Sequence, residues 1–244
     1  MMALVSDAVQ ALGWRDGLLY LLARGLERGS RGKLRLIKYF LFAQPVPPQR
    51  VLAVSGRNTL EIARTHPSDP IVASFPRPPA VIERRFADGG LCFTAIKGGE
   101  FVGFLWLHDH PYEEDEVRCL FRPYPQDQAV WDYDVYVEPR YRAGRAFARL
   151  WDGAYDFLRA RRIRWTLSRI SAFNPGSLAA HQRMGARRVA SAIFLIIGDV
   201  QVASVTVGPF LHVSWNERSR PEVLIKVPGS PQTPSRDERL ETAD

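Results

Sequence analysis

The run from Trp131 to Ala186 constrains the fold more than any other part of this 244-residue chain. Val135 and Val137 alternate with Asp134 and Tyr136, the two-residue period of a half-buried strand. Pro139 ends that strand, and the basic turn Arg140-Tyr141-Arg142-Ala143-Gly144-Arg145 follows. Phe147, Leu150, Trp151, Ala154, Phe157 and Leu158 then fall at three- and four-residue intervals, one apolar stripe on a helix. Ile163, Trp165 and Leu167 mark a second strand. Asn174-Pro175 opens a short helix with a cap and a proline at its first position, and Gly185 closes it. A strand feeding a helix through a short, glycine-bearing turn aims the first free N–H groups of the helix at whatever lies above the strand, which makes an anion site.

Charge points to the same place. The formal net charge is +7, carried by 29 Arg against 4 Lys, and twelve of the Arg lie between Arg140 and Arg188. The planar guanidinium suits bidentate contact with phosphate. With 46% hydrophobic residues, the composition suits a packed globular core rather than disorder. Cys92 and Cys119 form no short-spaced pair, so a disulfide framework or a metal site has no support, and each is expected as a small buried hydrophobe. No apolar run reaches the ~20 residues a bilayer needs. The N-terminus lacks a basic leader, so a cytoplasmic protein is expected.

Residues 1–32 read as an N-terminal helical extension packed on the domain. Ser6 would cap a first segment, and Leu18, Leu19, Leu22 and Leu26 make a stripe in a second. Residues 33–227 form the main domain. Leu34 to Ala43 is a first strand. The proline-rich stretch 44–90 holds two short helices, near Thr59–Arg64 and Pro79–Arg85. Leu91–Lys97 and Phe101–His108 form a hairpin about Gly98-Gly99-Glu100. An acidic cluster, Glu113, Glu114, Asp115 and Glu116, precedes a short strand at Val117–Arg122, which Pro123 and Pro125 end. Strands follow at Val189–Ile197 and Val200–Val207, with extended pieces to Val227. Residues 228–244 read as a disordered tail.

The order strand, phosphate turn, helix, strand, Asn-initiated helix resembles the GNAT superfamily of acyl-CoA-dependent N-acyltransferases. The resemblance is carried by residues 130–197. It implies an α+β fold: a mixed, mostly antiparallel twisted sheet with helices on both faces and a central splayed pair of parallel strands, here Asp134–Glu138 and Trp165–Ser171. The family's turn carries Gln or Arg, two residues, Gly, one more, and Gly or Ala. Starting from Arg142 puts Arg145 and Phe147 at the small positions; starting from Tyr141 puts Gly144 and Ala146 there. The resemblance thus implies that Arg142, Ala143, Gly144, Arg145, Ala146 and Phe147 hold the coenzyme A pyrophosphate. It also implies that Val135 and Val137 offer freed backbone groups to the pantetheine arm, with Asn174 and Ser177 beside it. The later helix of the family runs Asn, a small residue three on, Tyr seven on and Gly eleven on. Asn174, Ser177, His181 and Gly185 stand at those offsets, so His181 takes the place of the Tyr that protonates the departing thiolate. Imidazole can also donate a proton. Asp132 and Asp134 lie two apart, and a carboxylate partly buried among Trp131, Tyr133 and Tyr136 would serve as the base that deprotonates an amine. The family often bulges this strand, so parity alone does not choose between them.

The implied function is transfer of an acetyl or other acyl group from acyl-CoA to an amine of a small molecule or peptide, without a metal. An acyl carrier protein is an alternative donor, because an Arg-rich face suits an acidic carrier. A non-catalytic basic module that binds nucleic acid is a third reading, although no nucleic-acid motif is present. Glu113–Glu116 either lines the acceptor entrance or forms a solvated loop. The strands after Val200 offer a surface for a homodimer.

Overall fold

The computed structural model describes residues 8–52, 60–216 and 218–230. Among these residues the helices α1 (Trp14–Gly29), α2 (Pro79–Ala87), α3 (Ala146–Ala160) and α4 (Pro175–Arg183) pack around two sheets, and residues 8–12 are also helical. The larger sheet holds nine strands in the order β11-β10-β9-β1-β8-β7-β4-β3-β2. Its members are β1 (Leu34–Pro45), β2 (Leu60–Thr65), β3 (Leu91–Lys97), β4 (Glu100–His108), β7 (Ala129–Val137), β8 (Trp165–Ser171), β9 (Arg187–Ile197), β10 (Val200–Val205) and β11 (Leu211–Ser214). A smaller sheet, in the order β12-β6-β5, is made by β5 (Tyr112–Glu113), β6 (Leu120–Tyr124) and β12 (Glu222–Lys226). The α+β class and the mostly antiparallel sheet are as expected.

The apolar stripe of α3 explains one half of the core. Leu150, Trp151, Ala154, Tyr155 and Leu158 are all buried against Phe93, Leu105, Leu107 and Val130 of the sheet. Gly153 permits the close approach at the sheet edge: a Cβ there would stand 2.3 Å from Cγ2 of Ile62 on β2. On the opposite face, α2 and the 3₁₀ turn Pro70–Ser74 cover Phe101, Phe104 and Trp106 with Phe75 and Ile82. The smaller sheet covers the other end of that face, where Phe121 stacks on Trp131 at 4.9 Å.

The central strands part, but later along β8 than the expected Trp165–Ser171: Trp165 to Leu167 stay paired and only Ser168–Ser171 splay. β7 and β8 are parallel, and they pair only at Ala129↔Trp165, Val130↔Thr166 and Trp131↔Leu167. Beyond Trp131 and Leu167 they part, leaving a V. Each arm is held from outside by an antiparallel neighbour, β4 along β7 and β1 along β8. The first strand of the chain therefore lies in the middle of the sheet, between β8 and β9.

Several local expectations change. The stretch near Thr59–Arg64 is the edge strand β2 rather than a helix, with Leu60 through Thr65 paired antiparallel to β3; Thr59 lies outside the described residues. The glutamate, alanine and arginine in it favour helix locally, but pairing to β3 overrides so short a segment. Pro123 does not end a strand. It sits inside β6 opposite Ile225, beyond the point where β5 stops, so its missing N–H interrupts no ladder. The leucine stripe of the N-terminal helix is only partly the packed face: Leu18 and Leu22 are 42% and 53% exposed. Gly17, Tyr20 and Ala23 turn inward instead, with Tyr20 on Phe173 and Asp16 paired to Lys38 of β1 at 2.6 Å. Ser6, and the tail from 231, lie outside the described residues. No helix among the described residues is long and apolar enough to cross a membrane.

Candidate active site

The V between β7 and β8 is a cleft of about 170 Å³, bordered by Asp132, Tyr133, Asp134, Ser168, Asn174 and His181. At its upper end β7 turns into α3 through the 3₁₀ turn Pro139–Tyr141. Three amides of this connection are used internally, Tyr141 to the Glu138 carbonyl, Arg142 to that of Pro139 and Gly144 to that of Tyr141. The first α-helical bond runs from Arg149 N–H to the Arg145 carbonyl. The amides of Ala143, Arg145, Ala146, Phe147 and Ala148 therefore have no partner among the described residues, and no side chain caps the helix. Such a row is the ordinary anion site of a helix start.

The side chains leave this row open. Ala143, Gly144 and Arg145 are exposed. Phe147 packs back into the protein against Trp151 and His181, at 6.5 and 5.9 Å between ring centroids, so its bulk lies away from the amides. Arg142 is tied down: its Nε donates to the Val137 carbonyl at 2.8 Å and its guanidinium lies over the Tyr136 ring. That carbonyl, one of the backbone groups expected to face the pantetheine arm, is thereby occupied. Arg140 pairs with Glu100 at 2.9 Å, away from the row.

Asn174 caps α4, its Oδ1 accepting from Ser177 N–H at 3.0 Å, with Pro175 at the first helical position as the sequence indicates. This cap sets the helix phase that delivers His181 to the base of the cleft. His181 is 4% exposed. Its ring stands edge-on to Phe147 and Trp151, and its Nδ1 lies 3.0 Å from Oε1 of Gln44 on β1. Gln44 Nε2, the other end of that amide, lies 2.6 Å from Tyr155 Oη. Burial pushes the imidazole pKa down to about 4, so the ring is neutral at physiological pH.

The two aspartates face different surroundings. The β4–β7 register slips between Trp106 and Leu107: Trp106 pairs with Asp134 and Leu107 with Asp132, leaving Tyr133 as the extra residue of a bulge. Asp134 lies on the α2 side, where Arg77 grips it with two bonds of 2.9 and 2.8 Å and Arg85 adds a third of 2.7 Å. Asp132 is 2% exposed and has no cation beside it among the described residues. Burial pushes its pKa up to about 7, against a smaller downward pull from the hydroxyls of Thr166 and Ser168. Asp132 Oδ2, Thr166 Oγ1 and Ser168 Oγ are nonetheless buried without a completed hydrogen bond.

The acidic cluster does not form a free anionic entrance. Glu113 pairs with Arg220, Asp115 with Arg84, and Glu116 accepts from Tyr39. Glu114, its side chain fully buried, takes both ends of the Arg169 guanidinium at 2.9 and 2.5 Å. Cys92 and Cys119 are buried, and burial drives the Cys92 thiol up to about 12, which suits small hydrophobes and not nucleophiles. Sequence reasoning missed Gln44, Arg77, Arg85 and Tyr155. Only Gln44 carried a signal: it is the one uncharged polar side chain at the end of the apolar run Tyr39–Ala43.

A parallel pair that parts beneath a bare helix start, with a proton-carrying ring at the bottom, is the architecture of coenzyme A-dependent acyltransferases. The profile described as "Acetyltransferase (GNAT) family" matches residues 60–186, more than half of the sequence, and the chain belongs to this family, whose co-substrate is acetyl-CoA. No curated protein matches the sequence. Among solved structures, the chain is similar to a conserved protein of unknown function from Staphylococcus epidermidis (9% identity, TM-score 0.48, covering 71% of this chain and 66% of that one). It is also similar to a GNAT family acetyltransferase from Elizabethkingia anophelis with acetyl-CoA bound (11%, TM-score 0.39, 52% and 75%). A third is an aminoglycoside acetyltransferase from an uncultured soil metagenomic sample, in complex with sisomicin (12%, TM-score 0.38, 52% and 87%).

Proposed function

We propose that the protein transfers an acyl group, acetyl in the simplest case, from coenzyme A to an amine by direct attack within the β7–β8 cleft. The observations that carry this reading are the amides of Ala143, Arg145, Ala146, Phe147 and Ala148 at the start of α3, which have no partner among the described residues, and the β7–β8 cleft that reaches His181. Five free N–H groups at a helix start match the charge of a diphosphate. Arg145, exposed and without an ion-pair partner among the described residues, adds a mobile cation there. Ala143, Gly144, Ala146 and Phe147 contribute backbone, while Arg142 closes off the Val137 carbonyl and Val135 borders the slot. Asn174 and Ser177 shape its other wall.

Asp132 is the base in this reading. Its pKa near 7 lets it take a proton from an ammonium acceptor without holding it too firmly, and the absence of a neighbouring cation leaves it free to do so. Asp134, neutralised by two arginines, holds the 75–87 segment against β7. His181 donates from its cleft-facing Nε2, which has no protein partner among the described residues. The remaining contribution is alignment of the amine in a dry site.

The other two readings have less behind them. A carrier protein's arm brings one phosphate where the amide row suits two. A nucleic-acid module needs free arginines, whereas Arg77, Arg84, Arg85, Arg122, Arg140 and Arg169 are consumed in ion pairs. The test is thermal stability with ligand. Acetyl-CoA at a hundred times its Kd adds about 2.7 kcal/mol, a rise of several degrees in Tm. No shift with any coenzyme A ester at millimolar concentration removes the proposal, and faster transfer from an acyl-carrier protein than from acyl-CoA favours the carrier as donor.

A further inference from the structure

Beyond the residues matched by the family profile, which begin at residue 60, β1 reaches the middle of the sheet and places Gln44 next to His181. Gln44, Tyr155 and His181 form a chain of side chains from three elements, β1, α3 and α4, each buried. The two ends of a carboxamide are nearly the same shape, so its partners decide which end faces which. The structure places the nitrogen toward Tyr155 and the oxygen toward His181 Nδ1, an orientation that leaves the phenolic hydrogen without an acceptor among the described residues, because Tyr155 makes no other hydrogen bond there. With the oxygen toward Tyr155, the phenol donates into it. The 2.6 Å separation fits O–H···O, which spans about 2.5–3.0 Å, and is short for N–H···O, at about 2.7–3.2 Å. One amide hydrogen is spare in either orientation, so it does not decide. The 3.0 Å contact then runs from the Gln44 amide N–H into the Nδ1 lone pair of His181.

We infer that Gln44 is a positioning residue that holds His181 in the tautomer carrying its proton on Nε2, with Tyr155 fixing the amide's orientation. This rests on the acyltransferase reading for its purpose, though not for its observation. A neutral imidazole has one proton. If Gln44 presented its oxygen to Nδ1, that proton would sit there, and Nε2 would face the cleft as a lone pair unable to protonate a departing thiolate. With the amide N–H on Nδ1, the proton stands on the cleft side before any substrate arrives. Among ionisable side chains, Asp132, Tyr133 and Asp134 from β7, Arg169 from β8 and Tyr155 from α3 border the same space. None of them makes a hydrogen bond to the ring, so Gln44 alone sets its state.

The test is ¹⁵N NMR of the imidazole in the full-length protein, combined with kinetics of two variants. The wild-type protein is expected to show His181 as the Nε2–H tautomer from pH 6 to 8. Gln44→Glu replaces the donor with a carboxylate that accepts from Nδ1, so the proton moves to that nitrogen and the ring begins to titrate within this range. kcat then falls about a hundredfold with the KM for acetyl-CoA unchanged, and the pH profile shifts. Tyr155→Phe removes only the anchor: the two tautomers mix and kcat falls about fivefold. An Nδ1–H tautomer in the wild-type protein, or a Gln44→Glu protein with unaltered kcat and pH profile, overturns the inference. The wild-type spectrum needs no turnover, so a protein that failed to bind acetyl-CoA would sink the acyltransferase reading and leave the tautomer assignment to be judged by itself.

Discussion

The two arms of the central V are built from opposite kinds of interaction. The β7 arm is tied down by charge: Arg77 and Arg85 on Asp134, and Arg142 on the Val137 carbonyl. At the base of the β8 arm a neutral relay, Tyr155, Gln44 and His181, is sealed beneath aromatic rings. Between them stands Asp132, with neither a cation nor a completed hydrogen bond on its Oδ2. Paired charges hold geometry because they are satisfied, and a satisfied group has little left to offer a substrate. The groups proposed to move protons are the ones the fold leaves under-provided. Their displaced pKa values follow from that: Asp132 upward, His181 downward, in both cases because burial disfavours the charged form.

Substitutions can break this contrast. The largest effect is expected at the relay's end: His181→Phe should lower kcat by about 10²–10³-fold with little change in the KM for acetyl-CoA, measured by steady-state release of coenzyme A. Equal losses in binding and turnover would instead make the ring a wall. Next, Asp132→Asn should lower kcat about a hundredfold and abolish a rate increase centred near pH 7. The same variant sharpens the comparison through stability. A folded pKa raised from about 3.9 to about 7 favours the fold at low pH, and that stabilisation is lost as pH rises through 7. For His181, depressed to about 4, stabilisation is present above about 6.5 and is lost as pH falls toward 4. The two slopes oppose each other in the wild-type protein between pH 4 and 6.5. Asp132→Asn should therefore be more stable than wild type at pH 8 and should lose stability steeply on acidification, as read by urea melts across that range.

On the charged arm, Asp134→Asn should cost about 2–3 kcal/mol of stability, since it strands two part-buried guanidinium groups. Its kcat, measured well below Tm, should change by less than fivefold. A loss as deep as that of Asp132→Asn would reverse the assignment of the base. The smallest effect is expected at the turn, where Arg145→Glu should raise the KM for acetyl-CoA about tenfold and leave kcat alone, with the difference shrinking at high salt.

Much of this is legible in the sequence. The V and the helix start follow from periodicity and from Pro139, Gly144 and Pro175, all of which act within a few residues of themselves. The Asn174 cap and the placement of His181 are equally local. What escaped is non-local or a matter of register. The bulge at Tyr133, which sends Asp132 and Asp134 to different environments, depends on how β7 meets β4. Gln44 lies 137 positions before the histidine it touches, and Arg77 lies 57 before its aspartate. β2 departs from its local helical preference because six residues are too few for that preference to outweigh an available sheet edge.

The placement of β1 has a consequence for how this enzyme comes into being. A fragment cut to residues 60–186 would expose the β8 edge along its whole length and would leave the histidine without its amide. Because β1 must also be flanked by β9, whose residues are made last among the three, the reactive centre stays incomplete until synthesis has passed Ile197. Closing contacts across so long a stretch of chain is slow, so assembly of the central sheet should set the pace of folding, and activity should appear only with that final step.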